Sequence, residues 1–299
     1  MNVLVYGHNG WIGQQFIEIL KSQNVSFAVG TSRVDDTTQL ELEIKQRNPT
    51  HVVSFIGRTH GTIGDTVFTT IDYLEQEGKL FENIRDNLFS PFVLAEICTR
   101  LHIHYTYLGT GCIFKFDETH PFGEELNGFT ENSQPNFFGS SYSVVKGFTD
   151  KIMKLYENSV LNLRIRMPIT GECNPRNFIT KIVNYEQICS VPNSMTVLPE
   201  LLPYVLDMMK HRITGTMNLT NPGLISHNEI LDMYREIVDP HFSWKNFTQD
   251  EQRKILAADR SNNFLDTTRL TTLYPTVKHI KVSVKDCLMQ YKEHTSKIT

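Results

Sequence analysis

Three glycines, Gly7, Gly10 and Gly13, stand directly after the short β-rich run Asn2–Tyr6. They open a segment whose apolar residues Ile12, Phe16, Ile19 and Leu20 recur at helical spacing. A strand–glycine turn–helix unit at the start of a chain restricts the fold sharply. Glycine is needed where the backbone approaches a pyrophosphate and where the helix packs close to the strand. The helix N-terminus adds unsatisfied N–H groups and a partial positive charge. The spacing is GxxGxxG, not the GxGxxG common in dehydrogenases. A dinucleotide site is expected at Gly7, Gly10, Trp11, Ile12 and Gly13; the alternative is a tight turn that binds nothing.

The alternation continues. Strands are expected at Val25–Val29, His51–Ile56, Ile103–Leu108 and Val160–Arg166, and helices at Leu40–Arg47, Leu80–Leu101 and Ser140–Tyr156. Strands alternating with helices of this length make parallel βαβ units with right-handed crossovers, hence an α/β doubly wound parallel sheet. Beyond about residue 168 the alternation loosens. Helices are expected at Phe178–Ile188, Leu201–His211 and Val282–Tyr291, and a short strand at Thr216–Leu219. Ser226 and Glu229 form a capping box that opens one more helix. The expected division is a dinucleotide-binding domain over residues 1–168 plus about 213–240, with a smaller C-terminal α/β substrate-binding region over 169–212 and 241–299.

Composition narrows the function classes. The 299 residues carry 29 Lys plus Arg against 33 Asp plus Glu, a formal charge of −4, which excludes a strongly basic nucleic-acid binder. No apolar run approaches the roughly 20 residues of a membrane span, and no signal peptide is evident. Neither a nucleic-acid nor a membrane partner is expected. The five cysteines are widely spaced and odd in number, and none forms a CxxC pair. They point to free thiols in a reducing cytoplasm, with no disulfide framework and no metal site.

Candidate chemistry sits at three places. The second strand ends at Gly30-Thr31-Ser32-Arg33, without an acid before Asp35 to hold an NAD ribose. Arg33 with Thr31 and Ser32 suits the 2′-phosphate of NADP; the bland alternative is a solvated arginine. Tyr142 and Lys146 form a YxxxK pair on one helix face. An ammonium beside a phenol favours phenolate, which makes the tyrosine a usable proton donor to a developing alkoxide. The alternative is a surface pair. At the end of the strand over Ile103–Leu108, Thr110 can hydrogen-bond a substrate carbonyl. Cys112 can act as a base on the adjacent carbons, unless it is simply a buried apolar thiol.

The glycine turn, the strand-end threonine and YxxxK, in this order, resemble the extended short-chain dehydrogenase/reductases, a Rossmann-fold family. Longer blocks, among them LGTGCIF, PNFFGSSYSVVK, NPRNFITKI and RSNNFLDTTRL, are similar to the epimerase-reductases of UDP-L-rhamnose synthesis. The resemblance runs from Val3 to about Asp286, and Arg58–Lys79 matches least. It implies a 3,5-epimerase/4-reductase that converts UDP-4-keto-6-deoxy-D-glucose to UDP-L-rhamnose with NADPH. It further implies that Thr110, Tyr142 and Lys146 serve reduction, that Lys146 also holds the nicotinamide ribose and that Gly57 joins the cofactor set. Cys112 and Lys181 would serve epimerisation, with Lys181 in place of the histidine of related GDP-fucose-forming enzymes. Asn177, Arg260 and Asn263 would hold the uridine diphosphate, and Asn87 would shape its helix or relay protons. A homodimer through Leu80–Leu101 and Ser140–Tyr156 is expected by the same analogy.

Two other functions remain open on sequence. One is a reductase acting on an already epimerised sugar, which would need neither Cys112 nor Lys181. The other is a non-catalytic NADP-binding regulatory subunit, which would not need Thr110, Tyr142 and Lys146 together. No residue reads uracil unambiguously, so another nucleotide is also open.

Overall fold

The apolar run at the N-terminus forms β1 (Asn2–Tyr6), followed by α1 (Trp11–Ser22), β2 (Ser26–Val29), α2 (Thr37–Arg47) and β3 (His51–Ser54). In this computed structural model, which describes residues 1–295, β1 lies between β2 and β3 and parallel to both. Val5 pairs with Val29 on one side and Val53 on the other. Val3, Leu4 and Val5 are wholly buried, which explains a continuous apolar run where a half-exposed strand would alternate. α2 begins where the Asp36 side chain accepts the Gln39 N–H, and it ends at Asn48, whose φ of 45° stops the helix before Pro49.

β4 (Gly61–Ile63) and β5 (Thr66–Phe68) then form an antiparallel hairpin. Its pattern gives no signal in the sequence because Ile63 and Val67 face solvent. The helix expected over Leu80–Leu101 is present as α3 (Leu80–Ile84), a π-helical turn at Arg85–Phe89 and α4 (Ser90–Arg100). β6 (His104–Thr110), α5 (Ser141–Lys154) and β7 (Val160–Ile165) follow.

Past these lie β8 (Pro168–Ile169), α6 (Phe178–Val183), β9 (Thr196–Val197), α7 (Leu198–Lys210) and β10 (Gly215–Asn218). The chain continues through α8 (His227–Ile237), α9 (Gln249–Ile255), α10 (Thr268–Leu273) and α11 (Ile280–Thr295). α6 stops short of the expected Ile188 because the Asn184 side chain donates to the Thr180 carbonyl at 2.7 Å and caps the last turn. α8 carries the expected capping box, Ser226 with Glu229.

The central six-stranded parallel sheet has the order β10-β7-β6-β3-β1-β2. The chain moves outward from β1 to β2, then reverses across β1 to β3. Open α/β sheets bind ligands at such a switch point, beyond the carboxyl ends of the strands. Gly7 ends β1 there, and Gly57 lies just past β3.

By internal contacts the chain forms two units. One comprises Met1–Ile113, Gln134–Arg164 and Leu202–Met217; the other comprises Phe114–Ser133, Ile165–Leu201 and the chain from Asn218 onward. These limits differ from the expected ones. Most of α7 joins the first unit, whereas 114–133 and the chain from 218 to 240 join the second. Leu4, Leu40, Ile44, Val52, Leu94 and Tyr105 centre the first core. Ile169, Ile179, Val197, Leu231, Val284 and Leu288 centre the second. In the first unit α5 is clamped to β7 by a buried ion pair. Arg164 Nε and Nη2 donate to the two Asp150 oxygens at 2.9 and 2.7 Å, and Asn162 Nδ2 donates to Asp150 Oδ1 at 2.9 Å. Among the described residues no helix is long and apolar enough to cross a membrane.

Candidate active site

The glycine turn is built for close approach. Gly7 has φ of +74°, and a Cβ there would meet the Phe55–Ile56 backbone at 2.7–2.8 Å. A Cβ on Gly13 would lie 2.3 Å from the Gly7 carbonyl oxygen. Gly10 is the N-cap of α1, no side chain caps that helix, and its first turn carries no acid. The α1 amides are therefore left for an anion, and Trp11 and Ile12 begin the helix beside them. These features fit a dinucleotide pyrophosphate. Gly57 also faces a tight contact, since a Cβ there would stand 3.3 Å from Asn87 Oδ1. Asn87 lies in the π-helical turn and brackets Arg58: Oδ1 accepts the Arg58 N–H at 3.0 Å, and Nδ2 donates to the Arg58 carbonyl at 2.8 Å.

At the end of β2 the structure adds a residue that the sequence does not point to. Glu43, from α2, is buried there. Its Oε1 accepts the Thr31 N–H and hydroxyl at 2.8 and 2.7 Å, and its Oε2 accepts the Ser32 N–H and the Tyr6 hydroxyl, both at 3.0 Å. These donors hold the Glu43 carboxyl down at about 2 against the effect of its burial. An acid does stand at the β2 end, but both of its oxygens are already occupied. The Thr31 hydroxyl and the Thr31 and Ser32 amides are engaged with it. Arg33 is exposed, and its Nε and Nη2 donate to the two Asp35 oxygens at 2.9 Å each.

The strand end and α5 bring four of the expected residues together in the first unit. Thr110 closes β6 and is buried; its hydroxyl accepts the Cys112 N–H at 3.0 Å. Cys112 is half-buried and packs in a cluster with Tyr73, Leu74 and Tyr142. Its carbonyl accepts the Ser143 hydroxyl at 2.8 Å, which ties the residue to the first turn of α5. Ser140 caps that turn by accepting the Ser143 N–H. Tyr142 is 7% exposed. One turn later Lys146 is buried, with Nζ 6.0 Å from the Tyr142 ring centre. Burial pushes its ammonium down to about 8, against the charges of Cys112 and Asp150, which raise it.

Lys181, Asn177, Arg260 and Asn263 all belong to the second unit. Asn177 is the wholly buried N-cap of α6. Its Oδ1 accepts the Ile179 and Thr170 N–H groups, and its Nδ2 donates to the Thr170 and Glu172 carbonyls. Asn263 is likewise buried, with Nδ2 donating to the Phe114 carbonyl and the Ser261 hydroxyl. Both amides brace loops. Arg260 Nη1 donates to the Ala258 carbonyl at 2.8 Å. The Lys181 ammonium is pushed down to about 8 by burial and by the cations of Arg176 and Arg260. Arg176, inside the NPRNFITKI block, is the residue that the sequence reading passed over. Among the described residues no group of three metal-ligating side chains stands together.

No family model matches the chain. The crystal structure of the L780 UDP-rhamnose synthase from Acanthamoeba polyphaga mimivirus is 52% identical to it. That match covers 97% of this chain and 99% of that one, with a TM-score of 0.92. A bifunctional dTDP-4-dehydrorhamnose 3,5-epimerase/reductase of Arabidopsis thaliana is 43% identical over 284 residues, 95% of this chain and 91% of that protein. The chain belongs to the rhamnose-forming sugar-nucleotide epimerase/reductases. Within this family it is also 39% identical to the trifunctional RHM2 of Arabidopsis thaliana, where the match spans all of this chain and 43% of the longer protein. The fold is shared more widely. A dTDP-4-dehydrorhamnose reductase of Clostridium acetobutylicum, 18% identical, superposes with a TM-score of 0.78.

Proposed function

We propose that this epimerase/reductase converts UDP-4-keto-6-deoxy-D-glucose to UDP-L-rhamnose with NADPH. The observation that carries this reading is the placement of Cys112 beside Thr110 and Tyr142, because a reductase alone needs no thiol there. The glycine turn takes the cofactor, and Arg260 with the loops braced by Asn177 and Asn263 are the candidates for the nucleotide of the substrate.

The C3 and C5 protons of the substrate lie next to the C4 ketone and are acidified by it. Cys112 takes each proton as the base, and Lys181 is the candidate acid that returns one. Each group regains its starting state by exchange with solvent. The enolate carries its charge on the C4 oxygen, where Thr110 and Tyr142 donate hydrogen bonds. When bound, NADPH supplies hydride to C4. Tyr142 then gives its proton to the C4 oxygen, and Lys146 beside it favours that transfer. Gly7, Gly10, Trp11, Ile12, Gly13 and Gly57 would hold the dinucleotide, and Arg33 its 2′-phosphate.

The active form is a homodimer. Leu80, Phe81 and Ile84 of α3 are exposed, as is Phe148 of α5, and the two helices pack on one another within the first unit. A second copy of this face would bury them. A reducing cytoplasmic setting suits five cysteines that form no disulfide. Incubating UDP- and dTDP-linked 4-keto-6-deoxyglucose separately with the protein and NADPH, with NMR of each product, tests the reading. A rhamnosyl product from the UDP substrate is expected; a product unchanged at C3 and C5 would leave a reductase alone.

A further inference from the structure

Lys146 is paired with a group that the reaction outlined above does not use. Its Nζ donates to the hydroxyl of Tyr107 at 2.6 Å and lies 4.9 Å from the centre of that ring. Tyr107 is on β6, three residues before Thr110, and is only 1% exposed. An ammonium taken into such a site stays charged only if its donors are met. The groups facing it are few. Tyr142 and Asp150 lie on α5 itself, one turn to either side, and Cys112 follows β6. Asp150 is already bound by Arg164 and Asn162. The charges on the neighbouring elements are engaged elsewhere. Glu75 accepts the Ser141 N–H, Asp86 is held by Arg58 and Arg85, and Glu96 accepts the Tyr156 hydroxyl.

We infer that Tyr107 is a positioning residue for reduction: its hydroxyl oxygen holds the Lys146 ammonium charged beneath Tyr142. The inference rests on the assignment of Tyr142 and Lys146 to the reductive step. Tyr107 is buried and meets Lys146, so its effect on the reaction runs through that ammonium. It acts by keeping the cation in place, so that the Tyr142 phenol loses its proton readily. Removing one oxygen from Tyr107 leaves the ring and the packing but withdraws the acceptor. The buried ammonium then gives up its proton at lower pH.

The test is the pH profile of kcat for the reduction of an already epimerised 4-keto sugar, for the wild type and for Tyr107→Phe. The alkaline limb of the variant is expected to move down by about one pH unit, the size of a lost hydrogen bond to a charged group. NADPH affinity near pH 6, read by fluorescence titration, should stay near that of the wild type. A lower kcat with an unmoved limb would make Tyr107 merely structural and overturn the inference, as would an unchanged enzyme. Tyr142→Phe and Lys146→Met in the same assay separate the two levels. If neither slows reduction, the underlying assignment fails; if both do and the Tyr107→Phe limb stays put, only the role of Tyr107 fails. If Tyr107→Phe does not fold, the wild type is labelled with ¹⁵N-lysine and the Lys146 signal is assigned by its loss in Lys146→Met. An ammonium whose protons are protected from exchange supports the inference, and one that exchanges freely at neutral pH overturns it.

Discussion

The Glu43 carboxylate receives both the backbone N–H and the hydroxyl of Thr31, at 2.8 and 2.7 Å, and so closes the end of β2 from the neighbouring helix. With Ser32 and Tyr6 on its other oxygen, the carboxylate is fully used. It fixes the backbone on which Arg33 stands. Glu43→Ala leaves four donors without their acceptor. A loss of about 2–4 kcal/mol of stability is expected, read by denaturant unfolding. A loss below about 0.5 kcal/mol would mean that water replaces the carboxylate without cost.

Arg33, proposed to hold the 2′-phosphate, has its guanidinium paired with Asp35. Arg33→Ala should weaken NADPH and leave NADH nearly unchanged, because only NADPH has a 2′-phosphate. Asp35→Asn removes a competing carboxylate and should tighten NADPH by up to about fivefold, the scale of an exposed ion pair. Fluorescence titration with both cofactors measures this. Equal losses for NADPH and NADH in the Arg33 variant would make that residue structural.

Acid should destabilise the fold in a defined window. Burial, helped by His104 and Arg212, lowers His51 to about 4, and burial lowers His227 to about 4 as well. Unfolded histidines titrate near 6.5, so between these values the unfolded chain binds more protons than the folded one. Stability is then full above about pH 6.5 and falls as pH drops towards 4, by up to about 3 kcal/mol for each buried ring. Glu43, held at about 2, acts in a separate window below its ordinary 4.5, where stability falls as pH drops further. Urea unfolding at pH 7.5, 6, 5 and 4 reads the first window. His51→Gln should flatten that slope, and an unchanged slope would place its origin elsewhere.

Much of the fold is legible in the sequence because it is local. The β1 run, the glycine turn and the YxxxK helix each declare themselves within a few residues. The hairpin at Gly61–Phe68 does not, since Ile63 and Val67 face out. The π-helical turn at Arg85–Phe89 lies inside an unbroken apolar pattern, so periodicity alone reads straight through it. Among the proposed functional residues, those picked out by type are recognisable: Thr110, Cys112, Tyr142, Lys146 and Lys181. Those that work by partnership are not. Glu43 reaches Thr31 across α2, and Tyr107 reaches Lys146 from a strand 39 residues earlier. Asn177 and Asn263 are polar residues in the matching blocks, yet their amides are spent on backbone and loop contacts that only the folded chain reveals.

Reduction depends on a positioned acid. Tyr142→Phe is expected to lower turnover by about 10²–10⁴-fold with little change in NADPH binding. NADPH oxidation at 340 nm, the absorbance band of the reduced nicotinamide, follows it. Near-normal oxidation would remove Tyr142 from the mechanism.

Inversion without reduction is the centre of the account, and proton exchange reads it directly. Removal of the C3 and C5 protons consumes no hydride. In D₂O with NADP⁺ bound, the wild type is expected to bring deuterium into both carbons of UDP-4-keto-6-deoxy-D-glucose, followed by NMR. Cys112→Ser should lose most of that exchange, because a serine hydroxyl is a far weaker acid than a thiol and is rarely ionised near pH 7. It should still reduce an already epimerised 4-keto sugar. A wild-type protein that leaves both carbons unlabelled, or a Cys112→Ser variant that labels them at the wild-type rate, would contradict the account.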